Sequence, residues 1–261
     1  MNIQQIRNAT IKITYEPYTF LIDPWLIEKN TGFSARTVIP EMAGIKSPLC
    51  DLPFSIDEVL NGVDFCLITH LHPDHFTPDY LPKDLRMVVQ NEDDVNELKT
   101  MGFTDVITFE NDELTIGNLS VHRVDCIHGD NEDCAKRMGK TSGYVIEADN
   151  EPVLYIAGDT VYYDGVEETI NAYKPEVIVV NCCGATTPRG RLIMNEIEVA
   201  KTASFAKDSV IIASHMDNVN HATVSRNDIR SYIEKEHISN ILVPEDGEIL
   251  SFEKNKLRRN I

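Results

Sequence analysis

A short apolar run, Phe65-Cys66-Leu67-Ile68, ends abruptly in Thr69-His70-Leu71-His72-Pro73-Asp74-His75. No other stretch limits the fold as tightly. Four apolar residues suit a buried strand, and a strand that breaks into a polar turn is how α/β proteins present reactive groups at a carboxyl end. His70 and His72 are two apart, so in extended chain they face one way and can reach one ion. Pro73 turns the chain, which lets Asp74 and His75 serve a second ion nearby. Three imidazoles and a carboxylate between positions 70 and 75 are denser than a polar loop requires, and they fit a metal site.

The same device recurs. The apolar-rich stretch 119–124 leads to His128, Val153-Leu154-Tyr155-Ile156-Ala157 feeds Gly158-Asp159-Thr160, and Val210-Ile211-Ile212-Ala213 leads through Ser214 to His215. Further strands are expected at 9–15, 19–22, 87–89, 106–109, 113–116, 144–146, 177–180 and 241–243, with a last one near Ile249. Helices are expected after the caps Ser55, Asn91, Asn195 and Ser225, and over the face Val166, Ile170 and Tyr173 that stops before Pro175. Pro78 to Leu81 reads as one helical turn. Strands followed by helices, twice over, predict an α/β fold: a four-layer αββα sandwich in one domain over 1–261, with the site at the edge between the sheets. Residues 26–54 lack a period. Their prolines and glycines break regular structure, but Phe33, Ile39, Met42 and Ile45 argue against disorder, so a flap facing substrate is expected.

His-x-His-x-Asp-His behind an apolar strand resembles the signature of the metallo-β-lactamase superfamily. Ala9-Thr10, Leu21-Ile22-Asp23-Pro24-Trp25 and His215 look like the branch that contains L-ascorbate-6-phosphate lactonase, and the likeness covers about residues 8–230. The resemblance implies that His70, His72 and His128 hold one divalent ion and that Asp74, His75 and His215 hold another, with Asp159 as bridge. It also implies that Asp23 supports a ligand histidine from behind. Zinc is the first expectation, with manganese or iron as alternatives. Implied with the ions is hydrolysis of a small-molecule lactone, ester or phosphoester by metal-bound hydroxide, with Asp74 also orienting the nucleophile or taking its proton.

His221, in Asn220-His221-Ala222-Thr223, competes with His215 for the second ion. His215 is favoured because it follows an apolar strand directly, which leaves His221 as a candidate for substrate contact or proton transfer, or as a solvated loop histidine. Arg226, and less specifically Arg189 and Arg191, are candidates to bind an anionic group on the substrate. His122, in mid-strand, and the adjacent Cys182 and Cys183 read as structural.

Charge narrows the partners. The 261 residues carry a formal net charge of -18. That disfavours nucleic acid and anionic membrane surfaces, where clustered Lys and Arg are needed. No apolar run approaches the roughly 18 residues that span a bilayer. The opening residues lack the pattern of a signal peptide, and the six cysteines have no disulfide rhythm, so a cytoplasmic protein with reduced thiols is expected. A small molecule, anionic among the options, is the expected partner, and a homo-oligomer stays open. The competing functions are a nuclease or phosphodiesterase of the same superfamily and a non-catalytic metal-binding protein.

Overall fold

In the computed structural model, which describes residues 1–254, the chain begins with an antiparallel meander of β1 (Asn2–Arg7), β2 (Thr10–Tyr15) and β3 (Tyr18–Ile22). Helix α1 (Ile56–Leu60) then leads to β4 (Phe65–Leu67), which pairs parallel with β3. β5 (Arg86–Val88), α2 (Glu92–Thr100) and β6 (Val106–Ile107) extend the parallel half of this first sheet.

A second sheet repeats that order, antiparallel strands first and parallel strands after. β7 (Glu113–Ile116), β8 (Leu119–Asp125), β9 (Ser142–Glu147) and β10 (Leu154–Ile156) are antiparallel, with α3 (Glu132–Met138) between β8 and β9. After α4 (Asp164–Tyr173), β11 (Val177–Asn181) pairs parallel with β10. A small hairpin of β12 (Thr186–Thr187) and β13 (Gly190–Arg191) precedes α5 (Glu196–Phe205). β14 (Val210–Ser214), α6 (Arg226–Lys235) and β15 (Ile241–Leu242) complete the parallel half. β16 (Ile249–Ser251) returns to the first sheet and pairs with β1.

Strand alternation sorts the layers. Phe65 and Leu67 of β4 face the second sheet in a cluster with Phe20, Tyr144, Ile156 and Val179. Cys66 points the other way and packs with Val59 of α1 and with Val95 and Leu98 of α2. In the second sheet, Tyr155, Ile178 and Ile211 pack outward against Val166 of α4, Val199 of α5 and Ile229 of α6. A period of two on each strand thus yields helices, sheet, sheet, helices. The four-layer αββα sandwich is the observed fold. The one-domain expectation ran to 261, and positions 255–261 lie outside the described residues.

Three local expectations change. Pro78 to Leu81 form a turn, not a helical turn, because Pro82 excludes the residue before it from helical backbone. β1 was not expected: Gln5 and Arg7 are buried polar residues that break an amphipathic pattern. α3 was missed because Cys134 is its one buried residue.

Residues 26–54 fold as an irregular but anchored segment with one 3-10 turn at Pro40–Met42. The fully buried Arg7 closes its base, donating to the carbonyls of Trp25, Ile27 and Cys50 at 3.0, 2.8 and 3.1 Å.

Candidate metal centre

Strand ends deliver the site. His70 and His72 follow β4, His128 follows β8, Asp159 follows β10 and His215 follows β14. The chain must turn sharply at these ends. Asp23 and His215 occupy left-handed backbone (φ 46° and 64°), which is uncommon for residues with a side chain and clusters at functional sites. Gly158 (φ 65°) has no room for more: a Cβ there would sit 2.6 Å from the Ser142 carbonyl oxygen.

Two triads converge. The nitrogens of His70, His72 and His128 lie within 4.8 Å of one another, and so do the ligand atoms of Asp74, His75 and His215. A third such group, His70, His75 and Asp159, joins them. The Asp159 Oδ2 atom stands 3.3 Å from His75 Nε2 and 3.5 Å from His128 Nε2, between the triads, while Oδ1 accepts from Asn181 Nδ2 at 2.8 Å.

Protons on the outward nitrogens show what the inward ones can do. Thr69 donates its hydroxyl to Asp23 at 2.7 Å, so its oxygen must accept from His70 Nδ1 at 3.0 Å. That leaves His70 Nε2 as an acceptor, 2.9 Å from His72 Nδ1. His128 Nδ1 donates to the Leu192 carbonyl at 3.0 Å, and its Nε2 likewise faces the cluster with a lone pair. Buried acceptors that converge in this way fit a shared cation. His75 Nδ1 donates to Asp23 at 2.7 Å, and Asp23 also takes the backbone N–H of Thr69. His215 turns Nε2 to the cluster, 3.2 Å from His75 Nε2 and 3.4 Å from Asp74 Oδ2, while Nδ1 meets the sulfur of Cys183 at 3.5 Å. Asn8 Nδ2 reaches both His215 Nε2 (3.2 Å) and the Asp74 carbonyl (3.0 Å).

The electrostatics divide along the same line. Burial, reinforced by neighbouring histidines, holds His70 well below the ordinary imidazole range, and burial lowers His72 and His128 too. At His75 burial also opposes charge, but the carboxylates of Asp159 and Asp23 outweigh it and raise the pKa to about 10. His215 is raised as well, its burial overcome by the Cys183 sulfur and Asp159. Burial resists ionisation of Asp74 and Asp159, yet the facing histidines hold both carboxyls below their usual range.

Above the triads lies a cavity of about 300 Å³. His72, Asp74, His128, Asp159 and His215 form its floor, and its walls include Phe33, Met138, Ala185 and Leu192. A larger groove of about 670 Å³ touches the cluster through His128 alone. His221 lines the cavity but belongs to neither triad. It is buried, not solvated, its ring lies 6.3 Å from that of Phe33, and its Nδ1 has no partner. Burial also lowers its pKa, so it is a neutral donor or acceptor facing the cavity.

Arg226 is a correction. It opens α6 away from the cavity, and its buried guanidinium is taken up by Asp217, Asp246 and the Pro244 carbonyl. Arg189 and Arg191 pair with Asp133 and Glu198. The arginine that does line the cavity is Arg36, from the flap, and no motif marked it. Cys183 is not mere packing, since it touches His215, whereas Cys182 meets the Ser214 carbonyl and Met216. His122 pairs with Glu147 in mid-strand, outside the site.

Comparison with known proteins agrees with this architecture. A family model described as a β-lactamase superfamily domain matches residues 18–216. The protein YddR of Bacillus subtilis, of the UPF0173 family, is 43% identical over 259 residues, covering 97% of this chain and all of its own. Among solved structures, a possible metal-dependent hydrolase from Veillonella parvula superposes with a TM-score of 0.91 at 33% identity, covering 97% of this chain and 99% of that one. An isothiocyanate hydrolase from Delia radicum gut bacteria superposes at 0.89 with 31% identity, covering 97% and 100%.

Proposed function

From the premise that this chain belongs to the metallo-β-lactamase superfamily and is a metal-dependent hydrolase, we propose that it cleaves a small molecule at a dinuclear site. The observation that carries this reading is the shared cavity: both triads open into one space of about 300 Å³. That volume suits a small ligand, and its mixture of apolar wall and a few polar groups is typical of such sites. His70, His72 and His128 would hold one ion, Asp74, His75 and His215 the other, and Asp159 would lie between them. When bound, two such ions lower the pKa of a water toward neutrality and polarise the scissile group.

The remaining roles belong to side chains. Asp74 is held ionised and accepts a hydrogen bond from the attacking water, which fixes its direction. His221 stays neutral and presents a ring nitrogen to the substrate atom where charge develops. Phe33, Met138 and Leu192 keep bulk water from the reacting centre. A lactone or ester is the leading substrate class, with phosphoesters next.

A second reading has its own support. The likeness to an isothiocyanate hydrolase covers 97% of this chain and all of that one, and the apolar wall suits a small uncharged electrophile. There, water adds to the central carbon of R–N=C=S, and cleavage of the C–N bond releases an amine and carbonyl sulfide.

One panel tests both readings: small lactones, esters, phosphodiesters, isothiocyanates, RNA and single-stranded DNA, each with metal-replete and chelated protein. Turnover confined to one small-molecule class and abolished by chelation is expected. Cleavage of the nucleic acids alone would reverse the proposal toward a nuclease. No turnover of any class by a fully loaded protein would favour a binding role.

A further inference from the structure

We propose that Arg36 is the recognition point for a carboxylate carried by the substrate at the end remote from the metals. The inference rests on the cavity being the substrate site, and it adds a specificity that the metal chemistry does not require.

Arg36 is the exception among the arginines. Residues 1–254 contain nine. Eight have protein partners: Arg7 binds carbonyls, and Arg86, Arg123, Arg137, Arg189, Arg191, Arg226 and Arg230 each meet a carboxylate. Among the described residues Arg36 alone of these makes no hydrogen bond or ion pair, in a chain with 42 acidic residues. It lines the cavity whose floor is the two triads.

Its backbone is nevertheless fixed. The fully buried side chain of Asn220 accepts from the Ala35 N–H at 2.9 Å and donates to the Ala35 carbonyl at 2.9 Å. It also donates to the Met42 carbonyl at 3.1 Å, while the Asn220 N–H donates to Ser47 Oγ at 3.0 Å. A clamp on both polar groups of the preceding residue holds Arg36 at the cavity against the loop that carries His215. An anchored backbone with a free guanidinium is a ready fork for a planar carboxylate. Cations held by Asp74 and Asp159 would keep the floor from repelling an anion.

The test uses full-length protein loaded with zinc, its content of two ions verified first. Linear dicarboxylates from succinate to adipate are titrated calorimetrically beside the monocarboxylates of equal chain length. One carboxylate group reaches the ions in both series, and only the dicarboxylates have a second for Arg36. At one chain length the dicarboxylate should bind about fivefold more tightly, the scale of a partly exposed ion pair. Arg36→Met should erase that excess and leave the monocarboxylate unchanged, and Arg36→Lys should keep part of it. No excess at any length, or one that survives in Arg36→Met, overturns the proposal. A protein that fails to hold two ions would instead fail the dinuclear reading before any ligand is added.

Discussion

The two triads sit side by side but are prepared in opposite ways. His70, His72 and His128 are imidazoles kept neutral by burial and by one another, and His70 and His128 already turn lone pairs inward. His75 and His215 have their pKa values raised instead, and they face Asp23, Asp74 and Asp159 across distances of 2.7 to 3.4 Å. One half thus offers neutral acceptors to a cation, and the other favours protons that a cation would have to displace. Binding at the first triad therefore releases few protons near neutrality, whereas binding at the second must expel them.

The largest effect should come from the first-triad residue that also lies against the second triad. His70 belongs to the first triad and to the group with His75 and Asp159. His70→Ala should lower bound metal to less than one equivalent and reduce kcat/KM by at least about 10³-fold, within the range for losing an essential catalytic group. Elemental analysis beside steady-state kinetics measures both. Retention of two ions would show that His70 is not a metal ligand.

Acidity separates the triads next. Below a pKa of about 10, His75 must lose a proton to bind metal, so second-site affinity should rise about tenfold per pH unit for each proton released. First-site affinity should be flat above about pH 6.5, because its imidazoles are already neutral. Calorimetric titrations at several pH values resolve the two slopes, and parallel slopes would erase the distinction. Stability of the metal-free protein runs the other way. His75 has its pKa raised on folding, so its contribution is complete below about 6.5 and is lost as pH rises toward about 10. The melting temperature of chelated protein should fall across that window.

A smaller effect should follow from the support behind the second triad. Asp23 accepts from His75 Nδ1 and from two groups of Thr69. Asp23→Asn should weaken second-site binding by about 10–100-fold, the usual scale for such partners. It should change the first site less, because it reaches His70 through Thr69. Equal losses at both sites would mean that Asp23 serves the strand ends as a whole.

These contrasts were unevenly legible in the sequence. His70, His72, Asp74 and His75 stand within six positions, so strand geometry alone placed them together. His128, Asp159 and His215 each followed an apolar run, and the layers followed from two-residue periodicity. What stayed hidden depends on contacts distant in sequence. Asn8 reaches His215 across 207 positions and Asn220 holds Ala35 across 185, and neither carries a local signal. Arg226 looked free because Asp246, its partner, lies twenty positions on, beyond α6. Arg36 was overlooked because its segment has no period. Cys183 was set aside because a buried thiol in an apolar run is ordinarily packing.

Metal stoichiometry tests the pairing of triads most directly. Protein purified without chelator and saturated with zinc should hold two equivalents per chain by elemental analysis. His72→Ala and His215→Ala should each hold one, and His221→Ala should still hold two. A native chain that saturates at one equivalent, or a His221 variant depleted while the His215 variant stays full, would contradict the assignment.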